Sequence, residues 1–141
     1  MTIIFNIVNY IQTIISNFSL DYIDCHRTFG LEKMKNKDAI IILTTTDSSA
    51  EADKIAKYLI EQRLAACVNI IPEIKSHYRW KGEVVSDEEW LLVIKTSTKV
   101  ELKIVESIKN LHSYDLPEIV ILPIGGGNNE YLQWIRESVT D

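Results

Sequence analysis

The chain has 141 residues, of which 46% are hydrophobic and 25% charged, so collagen, low-complexity disorder and a disulfide scaffold are excluded. With 15 basic against 20 acidic side chains, the net charge is −5, which disfavours broad binding to a phosphate backbone; no nucleic-acid partner is expected. The length fits one domain with or without a tail, and two cysteines are too few for a disulfide framework, which indicates a reducing compartment.

Residues 1–38 are predicted to form an extension ahead of a domain at residues 39–141. The first twenty residues carry no charge, and their apolar positions recur at helical spacing, which predicts an amphipathic helix. Three interpretations stay open. The segment is a helix that either packs on the domain or is a remnant of imperfect gene prediction or of targeting, or it is a functional targeting segment, or it is a membrane span. Regularly placed Asn, Gln and Ser disfavour the span, so none is expected.

The domain begins with a β-branched run at 39–45, which predicts a buried strand. Ser48 and Glu51 follow at the spacing of a capping box, in which the hydroxyl accepts from a helix N–H and the carboxylate returns the bond. The helix that they open is predicted to end near Gln62 or Arg63.

Residues 66–80 alternate in polarity and predict a long strand. The pattern assigns one face to Val68, Ile70, Pro72, Ile74, Tyr78 and Trp80. Pro72 cannot donate a ladder hydrogen bond and so indicates a sheet edge or a bulge. Gly82 closes a turn, and residues 84–96 form the return strand.

The second half repeats the pattern. Thr98 and Glu101 suggest a second capping box before an apolar helix face. The segment 112–117 ends that helix, 118–123 predicts a fourth strand, and Asn128 or Asn129 caps a last helix. The order β-α-β-β-α-β predicts an α+β, ferredoxin-like sandwich with an extra C-terminal helix and a long β2–β3 hairpin.

The hairpin length predicts self-association. Fifteen strand residues span about 50 Å, whereas a helix of about 15 residues spans only about 22 Å. Two such helices cannot cover the overhang, which carries Tyr78 and Trp80. A closed oligomer would bury these aromatics and the bare edges. The alternative is a hairpin bent at Pro72 and folded back on its own chain.

The sequence resembles the CutA family of divalent-cation tolerance proteins. The resemblance covers about residues 39–140 and rests on AACVNI at 65–70, YRWKG at 78–82, EWLLVIKT at 89–96, HSYDLPE at 112–118 and YLQW at 131–134. It implies a ferredoxin-like subunit, a homotrimer similar to signalling proteins of the PII class, a cytoplasmic or organellar setting and a role in tolerance of copper and other divalent metals. The family's usual His-Pro-Tyr-Glu is His-Ser-Tyr-Asp here, from His112.

No standard metal motif such as CxxC or HExxH is present. The resemblance implies a site at Cys67, His112 and Glu118, lined also by Tyr114. Thiolate and imidazole are ligands that copper prefers, so copper is the favoured metal. The competing interpretations are a buried small Cys67, a helix-end His112 that balances the dipole, and a solvated Glu118.

We therefore expect a cytoplasmic homotrimer that binds divalent metal without enzymatic turnover, with organellar or secretory targeting by residues 1–38 left open. The alternative is a PII-like trimer that binds a small anionic metabolite or nucleotide in clefts between subunits, lined by Trp80, Lys95 and Tyr114. A third possibility is a purely structural trimer that scaffolds another protein.

Overall fold

The computed structural model describes residues 38–140. The elements in chain order are β1 (Ala39–Thr46), α1 (Ser49–Glu61), β2 (Cys67–Trp80), β3 (Glu83–Ser97), a 3-10 turn (Thr98–Val100), α2 (Glu101–Leu111), β4 (Val120–Pro123) and α3 (Asn129–Ser138). The strands form one antiparallel sheet in the order β2-β3-β1-β4. The predicted α+β, ferredoxin-like fold is confirmed. The helix predicted for the first twenty residues lies outside the described part of the chain.

The core lies between one face of the sheet and helices α1 and α2. Its fully buried side chains include Ile42, Ile55, Leu59, Leu92, Ile94, Ile104 and Ile108. Each such side chain contributes about 2 kcal/mol through burial. In the described residues, no helix has the length and apolar character needed to cross a membrane.

Two helix starts differ from the prediction. Ser48 Oγ does accept from the backbone N–H of Glu51, at 3.3 Å, but the Glu51 carboxylate binds another loop instead of returning the bond. Before the second helix, the predicted Thr98 cap is wrong: Ser97 caps the 3-10 turn by accepting from Lys99 N–H at 3.4 Å, and α2 itself follows Val100 with no side-chain cap. Thr98 is the first residue of the 3-10 turn, so it lies inside that turn and cannot be the N-cap of α2.

Helix α3 packs against a different part of the sheet. Its N-cap is Asn128, and its buried Leu132 and Ile135 contact Ala39. Ala39 precedes the core residue Ile40 in β1, so its side chain points to the opposite face. We call this face, which points away from α1 and α2, the outer face. Helix α3 therefore covers one end of the outer face.

The β2–β3 hairpin extends beyond the rest of the sheet, as predicted. Strand β1 pairs with β3 only from Trp90 onwards, and the segment from Ile74 to Trp80 pairs only with the first residues of β3. This overhang is about 23 Å long. Tyr78 and Trp80 are 40% and 43% exposed on it.

A bulge at Pro72 changes which residues share a face. Ile71 pairs with Leu91, but Ile74 pairs with Glu89, so β2 holds one residue more than β3 between these pairs. Glu73 in the bulge has a positive φ of 57°. One extra residue in a strand moves every side chain beyond it to the opposite face of the sheet. The predicted single face is therefore wrong: its first two members, Val68 and Ile70, face the core, whereas Ile74, Tyr78 and Trp80 lie on the outer face.

Candidate functional site

A cavity of about 450 Å³ opens on the outer face, between the overhanging hairpin and the loop that follows α2. Three aromatic side chains line it: Tyr78, Trp80 and Tyr114. Three acidic side chains also line it: Glu89, Asp115 and Glu118. Thr45, Ser76 and Leu116 complete the wall. The bulge is the cause of this arrangement, because it turns the hairpin aromatics onto the side where Glu89 lies.

Glu89 is the most deeply placed polar group of the cavity, with its side chain only 5% exposed. The Tyr114 hydroxyl donates to Glu89 Oε1 at 3.0 Å. Burial first, and then the bond to the Glu89 carboxylate, raise the pKa of Tyr114 well above its ordinary value. Tyr114 therefore keeps its proton at neutral pH and remains the donor in this pair.

A second phenol and carboxylate pair lies on the hairpin beside the cavity. The Tyr78 hydroxyl donates to Asp87 Oδ2 at 2.6 Å, and this bond is the main reason why the pKa of Tyr78 is raised. Both cavity phenols therefore use their only proton on a carboxylate.

His112 lies directly behind Tyr114, with the two ring centroids 4.9 Å apart. Its Nδ1 accepts from the backbone N–H of Tyr114 at 3.1 Å, and its Nε2 lies 2.8 Å from the carbonyl oxygen of Thr45. A nitrogen that accepts carries no proton, so Nε2 is the donor in this arrangement. Both ring nitrogens are thus committed, and a metal could bind His112 only by displacing one of these contacts.

The loop after α2 is tied to the start of α1. The Glu51 carboxylate accepts from the Ser113 backbone N–H at 2.5 Å and from the Ser113 hydroxyl at 3.0 Å. Together with His112, this contact fixes the loop that carries Tyr114 and Glu118 over the sheet. Ser113 supplies both donors, one from its backbone and one from its side chain.

Cys67 lies at the other end of the outer face. Its free, half-buried thiol is 3.8 Å from Nζ of Lys95, which also donates to Asn69 Oδ1. His112 is bound to Thr45 of β1. The pairing registers place Cys67 two strands away from Thr45 and four residue positions further along the sheet. That separation is about 13 Å along the strands and about 10 Å across them.

The structure therefore divides the predicted site residues into two groups. Glu118, Tyr114 and Trp80 line one cavity, with His112 behind it, whereas Cys67 and Lys95 lie together elsewhere. Within residues 38–140, no group of three or more His, Cys, Asp or Glu side chains is placed to hold a metal. Glu118 precedes β4, which starts at Val120 and not at residue 118.

Sequence reasoning does not single out Glu89. Its one local signal is an acidic residue directly before the apolar run of β3. Its place in the cavity depends on the shifted register at Pro72 and on Tyr114, which comes 25 residues later. Neither is visible in a short stretch of sequence.

The fold and the sequence match a known family. A family model described as "CutA1 divalent ion tolerance protein" matches residues 40–138. The "Divalent-cation tolerance protein CutA" of Thermus thermophilus is 55% identical over 98 residues, which are 70% of this chain and 95% of that protein. The solved Cut A1 protein of the same organism superposes with a TM-score of 0.71 at 53% identity, covering 72% of this chain and 99% of that one.

A plant relative is longer. The "Protein CutA, chloroplastic" of Arabidopsis thaliana is 40% identical over 107 residues, which are 76% of this chain and 59% of the plant protein. The similarity to this relative therefore spans somewhat more than half of its length.

Proposed function

This chain belongs to the CutA1 divalent ion tolerance protein family, and from that premise we propose that it acts in metal tolerance by binding a divalent metal, with copper favoured, as a homotrimer without catalytic turnover. The observation that carries the proposal is the match of the family model across nearly the whole described domain. The name of the Thermus relative points to the same role.

We propose Cys67, His112 and Glu118 as metal ligands. Cys67 offers a thiol that is partly accessible, and thiolate and imidazole suit copper and zinc. These three residues do not fit a single metal centre within one chain, because Cys67 is distant and both nitrogens of His112 are bonded. A shared site would therefore draw Cys67 and Glu118 from different subunits.

Titration of Cu(I), Cu(II) and Zn(II) into the full chain tests this proposal. We expect Cys67→Ala to weaken binding at least tenfold, while Cys25→Ala, the matched change at the other cysteine, leaves it unaltered. Glu118→Gln tests the carboxylate in the same way. Equal affinity in wild type and Cys67→Ala would remove the thiol from the ligand set.

The trimer is supported by surfaces that one chain leaves uncovered. Tyr78, Trp80 and Val84 on the overhang are 40%, 43% and 71% exposed, and Ile71 beside the bulge is 45% exposed. Burial of one large aromatic contributes about 2–3 kcal/mol. Light scattering should give three times the chain mass of 16.2 kDa, and a stable monomer at micromolar concentration would contradict the proposal.

The alternative function, binding of a small anionic metabolite or nucleotide between subunits, has less support from the structure of one chain. Trp80 and Tyr114 do line a common cavity, but Lys95 lies at the far end of the outer face and the cavity wall is acidic. A thermal-shift screen with nucleotides and with metals separates the two, since a ligand of the folded state raises its melting temperature.

For localisation we propose the cytoplasm, with organellar or secretory targeting by residues 1–38 as the alternative. The Arabidopsis relative is named chloroplastic. Imaging of fluorescent fusions with and without residues 1–38 distinguishes the two, because only targeting makes the location depend on that segment.

A further inference from the structure

We propose that Cys67 and Lys95 form a reversible covalent bridge, in which one oxygen atom joins the cysteine sulfur to the lysine nitrogen. The bridge is a redox modification within one chain, and it goes beyond metal binding although it uses the same sulfur atom. Three observations support it: the distance between the two atoms, the strand pairing that fixes them, and the uncharged side chains around the pair.

The sulfur and the nitrogen already lie close together. Lys95 Nζ is 3.8 Å from Cys67 Sγ, and the thiol is free. Lys95 also donates to Asn69 Oδ1, so its side chain is directed toward β2 and the thiol. A bridge through one oxygen atom needs a shorter distance between sulfur and nitrogen, and the flexible four-carbon stem of lysine allows that movement.

Strand pairing fixes this contact. Cys67 and Lys95 are directly opposed in the antiparallel pairing of β2 and β3, an arrangement in which the Cβ atoms are about 4.5–5.5 Å apart. The backbone N–H of Ala66 donates to the carbonyl oxygen of Lys95 at 2.9 Å, which holds the start of β2 against the same residue. Because the bridge joins neighbouring strands of one subunit, it needs neither an open cavity nor the displacement of a second copy.

No carboxylate of the described chain competes for the lysine nitrogen. The positions nearest to the pair on this face of the sheet are Ile41, Asn69 and Val93, and none of them is charged. Within residues 38–140, Lys95 Nζ contacts Asn69 and Cys67 and forms no ion pair. Partly exposed cysteines beside a cation are those that oxidise most readily, and the half-buried Cys67 has this environment.

The reaction balances with dioxygen as the oxidant. The lysine ammonium first releases a proton. The S–H bond of the thiol and one N–H bond of the amine then break, and an S–O and an O–N bond form. Sulfur and nitrogen lose two electrons each. Dioxygen takes up these four electrons, and one of its atoms becomes the bridge while the other leaves as water. Excess dithiothreitol returns four electrons, which restores the cysteine and the lysine and releases the bridging oxygen as water.

Mass spectrometry of the full chain after incubation in air-saturated buffer tests the proposal. The bridge adds one oxygen and removes two hydrogens, so the chain mass should rise by about 14 Da and return to its original value with dithiothreitol. Trypsin does not cleave after a modified lysine, so the digest should contain residues 64–75 joined to residues 82–99. With dioxygen labelled with the heavy isotope oxygen-18, the joined peptides should be about 2 Da heavier.

Two variants each remove one member of the pair. Cys67→Ala lacks the sulfur, and Lys95→Arg keeps the positive charge but lacks the amine. Neither variant should give the joined peptides. Their matched controls, Cys25→Ala and Lys103→Arg on α2, should give them as the wild type does. Circular dichroism confirms that each variant is folded.

Three results would overturn the proposal. The first is the absence of joined peptides from folded wild type after incubation in air. The second is a mass gain of about 16 Da with normal cleavage after Lys95, which indicates a sulfenic acid on Cys67 alone. The third is the appearance of the joined peptides in Lys95→Arg.

The bridge also removes the Cys67 thiol from metal binding, a consequence that rests on the proposed function. The bridged chain should therefore bind metal as weakly as Cys67→Ala does, and dithiothreitol should restore the affinity. If Cys67→Ala binds metal as the wild type does, the proposed role of Cys67 as a ligand fails while the joined peptides still form. Each proposal can thus fail without the other.

Discussion

The Tyr114 hydroxyl donates a 3.0 Å hydrogen bond to Glu89 Oε1 and so connects the loop after α2 to strand β3. The acceptor is nine-tenths buried and the donor is partly buried. A charge-assisted bond at such a site is stronger than one in water. It fixes one wall of the cavity while leaving the cavity open.

Tyr114→Phe removes this donor and keeps the ring. We expect the free energy of unfolding to fall by about 1–3 kcal/mol, because a buried carboxylate oxygen loses its partner. Urea denaturation measures the change. Tyr131→Phe, on the exposed side of α3, is the control and should stay within about 0.5 kcal/mol of wild type. Combining Tyr114→Phe with Glu89→Gln should cost less than the sum of the two single changes.

Stability should also depend on pH through Tyr114. Its pKa is higher in the folded chain than its ordinary value of 10.0, so above that pH the folded state holds a proton that the unfolded state has lost. The contribution of Tyr114 to the free energy of unfolding is therefore complete below about pH 10 and declines as the pH rises further. The difference in unfolding free energy between wild type and Tyr114→Phe should shrink from pH 9 to pH 11. A constant difference across this range would contradict the assignment.

Glu51→Gln should loosen the loop that carries Tyr114 and Glu118. The Glu51 carboxylate accepts from both the backbone and the hydroxyl of Ser113, and an amide can reproduce only part of this pairing. Hydrogen exchange at residues 113–118 should accelerate several-fold, with a loss of about 1 kcal/mol in global stability. Glu106→Gln on α2 is the control, and similar exchange in the two variants would count against this contact.

Gly82→Ala should weaken the hairpin turn. Lys81 and Gly82 have φ of 48° and 91°, and two positive φ values are typical of a tight two-residue turn. No atom lies within 4 Å of a Cβ at Gly82, so the expected cost of about 1 kcal/mol is conformational and not steric.

Gly126→Ala is the matched control for Gly82→Ala. A Cβ there also meets no atom within 4 Å, and its φ is not in the positive range. The free energy of unfolding of Gly126→Ala should differ from wild type by less than about 0.5 kcal/mol. Thermal unfolding of both variants measures the difference, and equal losses would show that the turn geometry is unimportant.

Most element boundaries could be predicted because their signals are local. The apolar run of β1, the Ser48 cap of α1 and Gly82 in the hairpin turn each act through neighbouring residues, and the structure confirms all three. The predicted capping box of Thr98 and Glu101 was wrong, because a 3-10 turn capped by Ser97 precedes α2, and α2 has no side-chain cap of its own.

The candidate site was predicted only in part. Trp80, Tyr114 and Glu118 do share a cavity, but Cys67 and Lys95 lie at the far end of the same face. Their separation follows from strand register, which sequence spacing does not reveal. The metal role of Cys67, His112 and Glu118 stays a prediction.

The sequence by itself determined the order of strands and helices and the length of the β2–β3 hairpin, because periodicity and turn residues act over a few neighbours. Only the tertiary structure decided which side of the sheet the hairpin aromatics occupy. Pro72 indicated an edge or a bulge, but the actual register shift became visible only through the pairing of Ile74 with Glu89. Since side chains alternate along a strand, that one residue moved Tyr78 and Trp80 to the outer face, where Tyr114 forms another wall of the cavity and bonds to a buried carboxylate.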